Sequence, residues 1–61
     1  MGSIKSILMR RDGMTEKEAE DQIAIARSDF YALLEDGDTE MAYNICEDYF
    51  GLEPDYIEQL I

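Results

Sequence analysis

The chain has 61 residues, one cysteine, no histidine and a formal net charge of −10. That length bounds it to one domain near the lower limit for folding alone, and the cysteine and histidine counts exclude a disulfide framework and the usual structural zinc clusters. Residues 1–27 balance five cations against five carboxylates, whereas ten carboxylates and no Lys or Arg follow Arg27, a field that repels nucleic acid and anionic membrane and attracts basic protein surfaces.

In chain order, Ser3 is placed to cap a short first helix with Ile4, Ile7 and Leu8 on one face, and Gly13 is placed to follow its end. A second, longer helix opens on the capping box Thr15-x-x-Glu18, with Met14 and Ala19 as its hydrophobic staple. Ala19, Ile23, Ala26, Phe30 and Leu33 then recur at helical spacing, Leu34 widens the stripe, and Gly37 ends the helix. Asp38 or Thr39 is suited to cap a third helix with Ala42, Ile45, Cys46, Tyr49 and Phe50 on one broad face. Gly51 closes that helix, and Leu52 is set to fold back across its end. Pro54 fits the first position of a final short helix with Tyr56, Ile57, Leu60 and Ile61 apolar. Valine is absent and no stretch alternates with period two for long. The expectation is an all-α fold: a small three- to four-helix domain with a long central helix, single over residues 1–61. Either the helices pack well, or a second copy or partner completes so small a core.

The lone Cys46 points to a reducing compartment, since secreted domains of this size carry paired cysteines. No apolar run approaches the roughly 18 residues that span a bilayer, and no signal-peptide core is present. A cytoplasmic setting is expected. The opening Met-Gly-Ser-Ile-Lys-Ser matches the pattern for myristoylation at Gly2, with Ser6 in place. One acyl chain needs a basic second signal, which the acidic charge opposes, so a start codon or cloning remnant is the better reading.

Counted from Asp36, residues Asp38, Glu40, Asn44 and Glu47 occupy calcium-loop positions three, five, nine and twelve. The glycine needed at the sixth position is replaced by Met41, so helix termini explain the segment better. Catalysis needs a base within reach of a nucleophile. Histidine is absent, and Cys46 sits beside Glu47 and Asp48, which disfavour its thiolate. No enzyme, metal site or cofactor is expected. Among the aromatics, Phe30, Tyr49 and Phe50 fall on the apolar stripes and read as core. Tyr31 and Tyr43 fall away from the stripes and read as interface candidates. Ile25 and Ala32 form a secondary patch on the long helix, suited to the first helix or to a second copy. Lys5, Arg10 and Arg11 are too few against fifteen acids to form a nucleic-acid patch, and pairing with the acidic half, within one chain or across a dimer, fits them better.

The run R-D-G-M-T-E-K-E-A-E from Arg11 to Glu20, followed by Ile23, Ala26 and Arg27, resembles small uncharacterised acidic helical proteins of bacteriophages and prophages. The closing F-G-L-E-P-D-Y-I-x-x-L from Phe50 to Leu60 resembles the same group. The resemblance implies a phage accessory protein acting in a bacterial host cytoplasm, and it assigns no residue a role. Together with the charge pattern, it suggests a protein-binding module or inhibitor that occludes a basic, nucleic-acid-binding surface of a host or phage protein, without binding nucleic acid or membrane itself. Glu40, Glu47, Asp48, Asp55 and Glu58 are the candidate contact carboxylates. The alternative is a structural or regulatory accessory that self-associates through apolar faces, with Ile25, Tyr31 and Tyr43 as contacts and its charge conferring solubility only. A two-fold symmetric homodimer is expected in its own right, from the small core and the Ile25 patch.

Overall fold

The long helix forms because its first turn is closed by its own side chains. In the computed structural model, which describes residues 2–61, the Glu18 amide donates to the Thr15 hydroxyl at 3.1 Å and the Thr15 amide to the Glu18 carboxylate at 2.9 Å. The box satisfies two amides that a helix start otherwise leaves without partners. From there α2 (Glu16–Glu35) runs 20 residues. It ends where Gly37, at φ +78°, takes the left-handed conformation that side chains disfavour. Its amide bonds the Leu34 carbonyl at 3.1 Å, and the Asp38 amide bonds that of Leu33 at 2.9 Å, using two terminal carbonyls.

Around α2 lie α1 (Ile4–Arg11), α3 (Thr39–Tyr43) and α4 (Ile45–Phe50), with a closing 3₁₀ segment (Pro54–Gln59) packed on α4. Ser3 caps α1 by accepting from the Ser6 amide at 3.0 Å. Gly51, at φ +65°, ends α4 and turns the chain so that Leu52 folds back against the core. No strand occurs among the described residues, and no helix among them is long and apolar enough to cross a membrane. The all-α expectation and the long central helix both hold. Met1, the first residue of the acylation pattern, lies outside the described residues.

Three sequence expectations need correction. The third helix is two short helices, because Asn44 takes φ −95° and ψ 4° and shares its amide between the carbonyls of Glu40 and Met41, both at 3.2 Å. Asn favours such local turns over helix interiors, and Asp38 occupies the first cap position without a side-chain bond. The final helix is 3₁₀ and not α, and its Ile61 is 73% exposed, outside the apolar face. Tyr49, expected in the core, is 48% exposed.

The core is one cluster. Ile4 and Leu8 from α1 meet Ala19, Ala26 and Phe30 from α2, then Ala42, Ile45, Cys46, Phe50 and Leu60. Ile23, Leu33 and Leu34 of the α2 stripe pack against it half-buried, as does the Met14 staple. The accessible surface is 4068 Å², close to the roughly 4,000 Å² expected of a folded single chain of this mass. Burial in one chain therefore reaches the normal level for its size.

Candidate acidic cleft

Because α3 and α4 turn back along the C-terminal half of α2, a cleft of about 230 Å³ opens between them. Ile45 is its buried lining residue and Leu33 is half-buried, with Ala32, Met41 and Tyr49 as exposed apolar lining. Three carboxylates, Asp29 and Asp36 from the α2 side and Asp48 from α4, complete the lining. Asp29 is half-buried; Asp36 and Asp48 are exposed.

The Tyr49 hydroxyl donates a hydrogen bond to Asp29 Oδ2 across the cleft. This explains why Tyr49 leaves the core face: a buried phenol needs a partner, and the available one stands at the surface. The bond to Asp29, assisted by desolvation and by the charges of Asp29 and Asp48, raises the phenol above its ordinary range. A raised folded value means that the stability it contributes is complete below about pH 10, the unfolded tyrosine value. That contribution is lost as pH rises through the folded value. Asp29→Asn is therefore expected to move one tyrosine ionisation to lower pH in an ultraviolet difference titration. An unchanged curve would show that the phenol is not anchored there.

Of the eight residues singled out from sequence, only Asp48 lines this cleft. Glu40 on α3, Glu47 on α4, and Asp55 and Glu58 on the 3₁₀ segment are all exposed. Tyr31 and Tyr43 are exposed at 45% and 55%, and Tyr31 meets the Phe30 ring edge-on at a centroid distance of 5.4 Å. Ile25 is 52% exposed and Ala32 is also exposed, so α1 does not cover that patch. Sequence reasoning missed Asp29, Asp36, Met41 and Tyr49 as site residues. The signal was faint: their convergence depends on α4 lying beside α2, and only the Asp29–Tyr49 acid–phenol pairing is chemically suggestive in advance.

Within one chain the basic residues do not pair with the acidic half. Lys5 bridges Glu16 at 2.7 Å and Glu20 at 3.1 Å, tying α1 to the start of α2. Arg11 pairs with its neighbour Asp12 at 3.0 Å, and Lys17 with Asp21 at 3.7 Å. Arg27 donates to the Leu60 carbonyl at 3.0 Å. These cations serve the N-terminal acids and the chain's own backbone, not the acidic half. The calcium-like count from Asp36 falls on a helix junction: Asp36 follows the last residue of α2, and α3 begins at Thr39. Burial pushes the Cys46 thiol above its usual range, which suits a core side chain more than a nucleophile.

No family model, curated protein or solved structure matches this chain.

Proposed function

We propose that this protein is a small acidic binding module, a phage-encoded accessory or inhibitor acting in the host cytoplasm, that covers a basic, nucleic-acid-binding surface of a partner protein. One observation carries the reading. Among the described residues all four ion pairs join residues within 5–21, and none of the ten carboxylates beyond Arg27 pairs with a cation. Those residues hold the whole net charge, so a partner's Lys and Arg side chains would meet carboxylates free to pair. Exposed carboxylates of this kind add little to stability, but they steer encounter and raise association rates by roughly 10–10³-fold.

The test begins with capture of a partner from bacterial lysate at low salt. Association rates are then compared for the wild type and a Glu40→Gln, Glu47→Gln, Glu58→Gln variant. At low salt the variant is expected to associate at least tenfold more slowly. The difference should shrink near physiological salt, where the screening length falls to about 8 Å. The partner's binding to nucleic acid should fail while the wild-type complex is intact. Equal rates for both proteins at every salt concentration would end this reading.

The exposed Ile25 patch favours a second reading, a self-associating accessory whose contacts are Ile25, Tyr31 and Tyr43. It would appear in the same samples as a dimer mass by light scattering, lost in Ile25→Glu and unaffected by the glutamine variant.

A further inference from the structure

The cleft between α2, α3 and α4 differs from the surrounding acidic surface in being concave and lined by both apolar side chains and carboxylates. At about 230 Å³ it falls below the roughly 300–1,000 Å³ typical of small-molecule sites, and matches the scale of one inserted side chain. Asp29 adds an independent constraint. It is half-buried, and its one hydrogen bond among the described residues comes from the Tyr49 phenol, with no cation near enough to bridge it. Only its Oδ2 accepts that bond, so its other oxygen is left for an added cation to meet. The flanks are Tyr49 and Met41, exposed at 48% and 53%, so an apolar and aromatic surface stands beside that charge.

We propose that the cleft receives an arginine side chain projected from the basic surface of the partner protein. The inference rests on the acidic-module reading and specifies where on that surface the anchoring contact is made. Arginine fits on chemical grounds. Its guanidinium is planar and weakly hydrated, so one face can lie on the Tyr49 ring while its edge N–H groups reach Asp29 and Asp48. Its aliphatic stem would lie along Leu33 and Ile45. A lysine ammonium carries the same charge but is compact and strongly hydrated. It would lose more hydration against the apolar sides and could not stack. A second copy is the weaker occupant: its Arg10 has no ion pair or hydrogen bond among the described residues, but its net charge of −10 opposes approach to an acidic cleft.

Two synthetic amphipathic peptides serve as probes, identical except for arginine or lysine at every basic position, with binding read by fluorescence anisotropy. The expected result is at least tenfold tighter binding of the arginine peptide to the wild type. Tyr49→Leu should erase that preference. Ala32→Arg, at an exposed helical position, should weaken arginine-peptide binding at least tenfold by supplying the cleft with its own guanidinium. Circular dichroism of both variants should match the wild type, and amide shifts on peptide addition should centre on Asp29, Ala32 and Tyr49. Equal affinity for both peptides, reduced only by the Glu40, Glu47, Glu58 glutamine variant, would overturn the cleft assignment and leave the broader acidic reading standing. Failure of both peptides to bind at millimolar concentration would also overturn it. Concentration-dependent shifts confined to the cleft without peptide would assign it to a second copy and refute the partner arginine.

Discussion

Phe30→Ala is expected to leave much of the protein unfolded at room temperature. Phe30 is 2% exposed in the C-terminal half of α2, and it is the largest fully buried side chain among the described residues. Truncating a buried phenylalanine costs about 3–5 kcal/mol, through lost transfer energy and the cavity left behind. A domain of this length has a total stability of roughly 3–9 kcal/mol at the usual value per residue. The loss is therefore comparable to everything that holds the fold together. The surroundings offer little relief, because Ala26 and Ala42 in the same cluster are already fully buried and too short to fill the space. Urea titration followed by helical circular dichroism reads the effect directly. Phe30→Leu, which keeps most of the volume, should remain folded with a smaller drop in midpoint. A Phe30→Ala protein with wild-type denaturation would mean that the α2 stripe does not organise the core.

The expectation rests on the part of the fold that local sequence encodes well. The Thr15–Glu18 box, the Ser3 cap and the glycines after α2 and α4 each depend on residues within about one helical turn. The α2 stripe depends only on helical period, and Ala19, Ala26 and Phe30 are buried where that period puts them. What failed to show was set by longer-range geometry. Helical period alone placed Tyr49 with Ile45 and Phe50, but its hydroxyl found Asp29 twenty residues away on α2. The break at Asn44 could be suspected from helix propensity, yet its consequence, the direction in which α4 runs along α2, could not. The cleft exists only because of that direction. Asp29 and Asp36 therefore read as ordinary solvated positions until α4 is placed opposite them. The charge polarity was plain in the sequence, but the actual partners of Lys5 and Arg11 followed from how α1 docks on the start of α2.

The closing segment tests this long-range layer, and Leu60→Ala is expected to destabilise the protein strongly. Leu60 is fully buried although it stands near the end of the chain, in a segment without an α-helical ladder. It is held by distant partners. Arg27 donates to its carbonyl at 3.0 Å, while the neighbouring Gln59 accepts from the Ile4 amide at 2.7 Å and donates to the Gly2 carbonyl at 3.3 Å. Leucine-to-alanine changes in cores cost about 2–5 kcal/mol. Here the upper limit is the free energy of docking the segment, because it can detach before the rest unfolds. The expected cost is therefore near 2 kcal/mol, a fall in melting temperature of roughly 8–16 °C for a domain this small. Hydrogen exchange should locate the damage. The Ile4 amide, whose bond to Gln59 would break, and the amides of Tyr56 and Leu60 should lose protection first, while those in the middle of α2 keep theirs. A melting temperature within a degree of wild type would show that the segment is not docked through Leu60. Uniform loss of protection across α2 would show instead that docking and global folding are one event. Because the segment also carries Asp55 and Glu58, its detachment would separate two of the exposed carboxylates from the rest of the acidic surface. The same variant then reports whether partner association needs those charges held in place or only needs them on the chain.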